Sequence, residues 1–207
     1  MDEPRRDLIE LINFVSKNVK PKVTILKNSK RMGIGYAIRR GLKYAMKMGY
    51  DVAVVMAGNG KDDPREIPRL LVKILAGCDY VQGSRYLPGG RYEKMPFVRR
   101  VFNRLWPLFW TLITYKRQTE VTNGFRAYKL SILKDPRINI DQPWLNHYAL
   151  EYYIHYKVLT LGYKYCETAV SKIYPWGSRG GYSKIRPWRD WVHIVLPPIL
   201  LKLRLKK

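Results

Sequence analysis

Asp51-Val52-Ala53-Val54-Val55-Met56-Ala57-Gly58-Asn59-Gly60-Lys61-Asp62-Asp63-Pro64 decides how the rest of the chain is read. Val52 to Met56 has the length and β-branched composition of a buried strand, and its lack of alternation predicts parallel pairing. Asp63-Pro64 is a helix start: the carboxylate accepts free N–H groups at the N-cap, and proline fits the first helical position. Between them lies a loop at the carboxyl end of a strand, where open α/β sheets hold their ligands. It carries two glycines, an amide, an ammonium and a spare carboxylate.

Upstream, Leu8, Leu11, Ile12 and Val15 give residues 7–16 a one-faced helical pattern, and Pro21 precedes a short strand at 23–26. Lys30 to Gly35 opens a helix running to about Met48, with Ile34, Ala37, Ile38, Leu42, Ala45 and Met46 inward. Downstream come a helix over 64–76, a strand over 79–82 and the segment Gly83-Ser84-Arg85-Tyr86. Strand and helix alternate, which predicts an α/β fold with an open, mostly parallel sheet flanked by helices. From residue 87 the character changes: a Pro88-Gly89-Gly90 loop, a helix over 97–114, another over about 146–161, and a strand over 163–173.

The chain has 207 residues, enough for one α/β domain with a small appendage. Lys and Arg number 39 against 16 Asp and Glu, so the net charge of +23 calls for a polyanionic partner: nucleic acid, an anionic membrane surface or a phosphorylated substrate. Cys78 and Cys166 are far apart with no CxxC spacing and read as reduced core thiols. No secretory leader is visible, and the longest apolar stretches, 105–114 and 191–201, fall short of the ~20 residues of a membrane span. Two segments, 97–114 and 186–207, mix Trp and Leu with Arg and Lys, the composition of a helix lying in a lipid interface. The first reads equally well as a core helix with a charged edge. In the tail, Pro197-Pro198 should break the helix and no partner element remains, which favours the interfacial reading.

Gly33-x-Gly35 is half of a dinucleotide fingerprint, but Ile38 stands at the third glycine and a polar turn, not a strand, precedes it, which argues against a Rossmann cofactor site. There is no P-loop, and His147, His155 and His193 have no metal-ligand spacing, so each reads as structural or surface.

Several segments in order resemble the family 2 glycosyltransferases of the GT-A fold, in their dolichol-phosphate mannosyltransferase (polyprenyl-phosphate glycosyltransferase) branch. They are Arg31-x-Gly33-x-Gly35-x-Ala37-x3-Gly41; the 51–56 strand with Asp63-Pro64-x2-Ile67-Pro68; Gly83-Ser84-Arg85-Tyr86; Thr122-Asn123-Gly124-Phe125-Arg126-x-Tyr128; Leu150-Glu151 ahead of Leu161-Gly162-Tyr163; and Ser183-Lys184. The resemblance implies sugar transfer from a nucleotide-sugar, of GDP-mannose or UDP-glucose type, to a polyprenyl (dolichyl) phosphate by a cytoplasmic protein peripheral on the cytosolic membrane face. It implies a GT-A-like domain over 1–173, with an acceptor-side interfacial helix at 97–114, and a flexible basic loop and amphipathic C-terminal tail over 174–207. Arg85, Arg99 and Asn103 match the acceptor-phosphate cluster, Arg99 and Asn103 being one helical turn apart. Asp2, Gly33, Gly35, Asn59, Arg179, Ser183 and Lys184 match donor-binding positions, and Lys61 and Arg85 are the candidate catalytic groups.

Two departures stand out. The family carries Asp-x-Asp where this chain has Ala57-Gly58-Asn59, and those carboxylates hold the expected Mg²⁺ or Mn²⁺. Asp62 is the remaining candidate metal ligand, and Lys61 is expected to substitute in part for the ion, with weak or absent metal dependence. The family's first strand has no counterpart, and Asp2 to Asp7 occupies the place of the second strand's acidic end, so the true start is expected upstream. A catalytically silent protein binding lipid phosphate or a membrane surface is the alternative function. A nucleic-acid binder is disfavoured, because the aromatics cluster with Leu and Pro and form no stacking array.

Overall fold

The computed structural model describes residues 23–95, 97–174 and 192–206. Its elements are α1 (Ile34–Lys47), β1 (Val52–Val55), a 3-10 turn (Pro64–Glu66), α2 (Ile67–Leu75), β2 (Tyr80–Ser84), β3 (Arg91–Glu93), α3 (Phe97–Thr114), β4 (Arg126–Lys129), α4 (Ala149–Thr160), β5 (Tyr165–Ala169), β6 (Ser171–Ile173) and α5 (Val192–Lys202). The main sheet has the order β1-β4-β2-β5, and β3 and β6 form a second, parallel pair. The sheet is mixed: β4 runs antiparallel to both β1 and β2, while β2 and β5 are parallel.

The parallel pairing expected for the 52–56 strand is therefore corrected, since β1 pairs antiparallel with β4. Its unbroken apolar run reflects burial on two faces, whatever the pairing. Ala53 and Val55 pack toward a core formed with Leu42, Tyr80, Tyr128, Leu150 and Tyr153. Val52 and Val54 pack toward the opposite core, with Leu70, Ile74, Val81 and Phe125. Side chains alternate across the sheet with the two-residue period of strands, Tyr80 and Tyr128 on one face and Val81 and Ala127 on the other.

Three further expectations change. The segment 23–26 joins no sheet among the described residues; it lies along α1, where Thr24 Oγ1 meets the Tyr44 hydroxyl at 3.2 Å and Arg40 binds the Lys27 carbonyl and Asn28 Oδ1. Cys78 and Cys166 are joined as a disulfide, not held as free thiols. The parallel pairing of β2 and β5 brings residues 88 positions apart to a Cα–Cα distance of 6.1 Å, within bridging reach, which spacing along the chain cannot reveal. Finally, Pro197 and Pro198 lie inside α5, which does have partners. Ile194 packs with Trp106, Trp110 and Tyr152, and Leu201 joins the core beside α4, so burial offsets what the prolines cost.

The turn before β4 hangs on one buried arginine. Arg126 Nε donates to the Asn123 carbonyl at 2.8 Å, Nη2 to that of Val121 at 2.7 Å and Nη1 to that of Glu151 at 2.9 Å. His155 is fully buried between Tyr80 and Gln118; burial first, then the charge of Arg126, holds it far below its ordinary pKa, so it is a neutral core group. Among the described residues no helix is long and apolar enough to cross a membrane.

Candidate active site

The register places Val55, Gln82 and Glu167 level with Arg126, so the loop 57–62, Arg85 and the 121–125 turn emerge along one sheet edge. That edge is the carboxyl end of β1, β2 and β5, the side on which α/β sheets build sites. The Asp63 carboxylate accepts from Arg65 N at 3.0 Å, capping the turn after the loop as its sequence implies. Hydrogen bonds to β6 hold the loop itself: Ile173 N donates to the Lys61 carbonyl at 2.9 Å.

Around Tyr174, directly after β6, four cations gather. Lys61 Nζ sits 4.7 Å from the centre of the Tyr174 ring, and Arg99, from the first turn of α3, donates to its hydroxyl at 3.5 Å. Lys172 Nζ contacts both Asp62 oxygens, at 2.6 and 2.8 Å, and Asn123 Oδ1 at 3.2 Å. Arg85 Nε lies 2.6 Å from Glu120 Oε2, a close charge contact and not an aligned hydrogen bond, and its Nη2 donates to Thr122 Oγ1 at 3.3 Å. Burial pushes the Tyr174 hydroxyl pKa up, but Arg85, Arg99 and Lys172 together draw it below its ordinary value. Burial likewise depresses the Lys61 ammonium pKa, with Arg99 and Lys172 adding to the effect and Tyr174 and Asp62 opposing it. Four cations face two carboxylates, Asp62 and Glu120, and the surplus positive charge suits a phosphate.

The candidates from sequence are thus partly assembled. Lys61, Asp62, Arg85 and Arg99 converge on this cluster. Asn59 stands in the exposed loop, its Oδ1 accepting from Lys61 N at 3.3 Å. Asn103 lies on the same helix as Arg99 but is buried, its Nδ2 donating to Met95 Sδ at 3.8 Å. Gly33 and Gly35 start α1 in close backbone contact with residues 145–147. A methyl on Gly35 would strike the Leu145 and His147 carbonyl oxygens, so Gly35→Ala should lower stability by about 1–3 kcal/mol in urea unfolding. Asp2, Arg179, Ser183 and Lys184 lie outside the described residues. Lys172, Tyr174 and Glu120 belong to the cluster but were not singled out from sequence; a lysine in an otherwise apolar strand end was the available signal for Lys172.

The loop does not fit a divalent cation, which takes about six hard oxygen ligands. Ala57 has no ligand atom, the Asn59 oxygen is a neutral acceptor, and both Asp62 oxygens are bonded to an ammonium. Among the described residues no three His, Cys, Asp or Glu side chains are grouped to hold a metal.

Helix α3 has a second face. Asn103, Trp106, Trp110 and Thr114 are buried, while Val98, Val101, Leu105, Leu108, Leu112 and Tyr115, spaced by three and four, are 40–81% exposed. Arg100 and Arg104 are exposed beside this apolar stripe. The core-helix reading of 97–114 holds for one face, and the other presents apolar surface to solvent.

No protein-family profile matches the chain. It is 28% identical over 151 residues to an undecaprenyl-phosphate mannosyltransferase of Micrococcus luteus, an alignment covering 73% of this chain and 61% of that protein. It is 26% identical to a polyprenol monophosphomannose synthase of Mycolicibacterium smegmatis, over 80% of this chain and 69% of the relative. Over 55% of the chain it is 31% identical to a UDP-N-acetylglucosamine–dolichyl-phosphate N-acetylglucosaminyltransferase of Methanococcus voltae, covering 45% of that protein. The chain thus spans about three fifths of the first of these relatives.

Proposed function

We propose that this chain, a homologue of the family 2 glycosyltransferases, moves a hexosyl group from a nucleoside-diphosphate sugar to the phosphate of a polyprenol at a membrane surface. One observation carries the reading: α3 delivers Arg99 to the cation cluster and, along its opposite face, exposes a continuous apolar stripe. A phosphate whose substituent is a long lipid is the ligand that engages both. The acceptor oxygen is already anionic, so no general base is required. That oxygen attacks the anomeric carbon, the bond to the diphosphate breaks, and the nucleoside diphosphate leaves with the electron pair. Catalysis rests on orientation and on positive charge near the departing diphosphate.

Arg99 and Lys61 supply the groups nearest the anion. Arg85, almost fully buried against Glu120, contributes field and holds the turn at Thr122. Burial works against its charge, but Glu120, Tyr174 and Tyr86 hold its pKa above the ordinary value, so it stays cationic throughout the working pH range. GDP-mannose or UDP-glucose is the donor type, and the cytosolic leaflet, with its anionic lipids, is the surface that suits a basic chain.

The test is incubation of the chain with GDP-mannose or UDP-glucose and polyprenyl phosphate in anionic vesicles, followed by extraction of glycolipid. Glycolipid supports transfer. Vesicle retention without product from either donor supports the second reading, a silent lipid-phosphate-binding homologue, which the neutralised Asp62 favours. The stripe has its own test: Leu108→Glu, at a side chain 60% exposed, should leave folding intact. It removes about 2 kcal/mol of apolar transfer energy and should weaken co-sedimentation with vesicles by about thirtyfold.

A further inference from the structure

Lys172 has a place in the site that the transfer chemistry alone does not assign. It stands in the middle of β6, is almost fully buried, and spends its ammonium on Asp62 and Asn123. Asp62 is buried too, at the end of the loop where a diphosphate is expected. An unpaired carboxylate there would repel the diphosphate unless a cation lay between them. We infer that Lys172 is a resident cation that cancels Asp62 from within the fold, so that this site holds a diphosphate on Lys61 and Arg99 without a divalent ion.

The inference rests on the proposed sugar transfer for its ligand, and on three observations for its geometry. Both Asp62 oxygens are engaged by one ammonium, so the carboxylate is already neutralised from within the fold. The Lys61 side chain lies over the Tyr174 ring, whose hydroxyl in turn receives Arg99, so two cations are set on one aromatic platform. Asn123, the third acceptor of Lys172, is itself fixed by donation to the Gly83 carbonyl at 3.1 Å, which ties the ammonium to the sheet. Lys172 is accordingly a positioning residue acting through Asp62, and Lys61 and Arg99 are the groups that touch the anion.

Calorimetric titration with inorganic pyrophosphate, in EDTA or in Mn²⁺, tests this, with Mn²⁺ binding followed separately by electron paramagnetic resonance. The unaltered chain should bind pyrophosphate equally in both media. Lys172→Met exposes the Asp62 charge: binding in EDTA should fall by about tenfold, recover in Mn²⁺, and be accompanied by a new bound-Mn²⁺ signal. The pair Asp62→Asn with Lys172→Met removes both charges, so binding in EDTA should return and the Mn²⁺ signal should vanish. The double variant also serves if the single one does not fold, as judged by circular dichroism. An unaltered chain that binds pyrophosphate only with Mn²⁺ overturns the inference, as does a folded double variant that has lost EDTA-resistant binding. If the pyrophosphate results hold but no glycolipid forms, the transfer reading fails and this one stands. Glycolipid formation strictly dependent on Mn²⁺ gives the reverse.

Discussion

Lys61→Ala should reduce glycolipid formation about a hundredfold, and added Mn²⁺ should not restore it. An ammonium about 4 Å from a phosphate oxygen, at the effective dielectric of a protein surface, is worth roughly 4 kcal/mol. Part of that favours the bound donor as much as the transition state, and only the part that grows as the diphosphate departs accelerates transfer. About 2.7 kcal/mol of differential stabilisation corresponds to the hundredfold. The fold should survive, because the cation–π contact with Tyr174 is worth about 0.5–1 kcal/mol and the variant keeps the backbone bond from Ile173 N to the residue 61 carbonyl. Initial rates of glycolipid formation, measured in EDTA and in Mn²⁺ alongside a thermal melt, decide the matter. Full activity in the variant, together with abolition by chelator, would remove Lys61 from the mechanism.

What could be read in advance divides along a physical line. Some local signals held, although the 23–26 strand and the break at Pro197-Pro198 did not. The helix expected over 97–114 coincides with α3, and Asp63 caps as its chemistry requires. Interactions between distant residues were not legible. Asp62 was visible as a spare carboxylate, but the ammonium that occupies it is 110 residues away, on a three-residue strand. The disulfide escaped for the same reason, because only the β2–β5 pairing makes Cys78 and Cys166 neighbours. The segment Arg126–Lys129 was seen as part of a motif and not as a strand, since two of its four residues are basic and its pairing on both sides is the property of a sheet. Arg85 shows the opposite hazard: its position suggested a phosphate ligand, and the fold closes Glu120 against it. In a chain of +23, sequence cannot say which cations the sheet has already paired.

Arg126→Met should lower the free energy of unfolding by about 3–5 kcal/mol, the range for removing one partner from a buried ionic network. Methionine comes close to filling the volume, so a cavity is not the main term. The loss is polar. Three carbonyl oxygens, on Val121, Asn123 and Glu151, lose the donors that the guanidinium provides. Each costs about 1–3 kcal/mol if it stays dry, less where water enters. The Glu151 carboxylate, 3.6 Å from Arg126 Nε and largely buried, is left without its countercharge. Glu151→Gln should cost much less, about 1 kcal/mol, because the three carbonyl bonds remain. Native domains hold only about 5–15 kcal/mol in reserve, so the arginine variant loses a large fraction of it. Because Asn123 lies in the turn that Arg126 holds and also binds Lys172, loss of the arginine should reach the site as well: EDTA-resistant pyrophosphate binding should weaken even in molecules that remain folded. Urea unfolding of the two variants, compared at equal slope, measures the difference. An Arg126→Met midpoint no lower than that of Glu151→Gln would show that water, not the guanidinium, satisfies the turn.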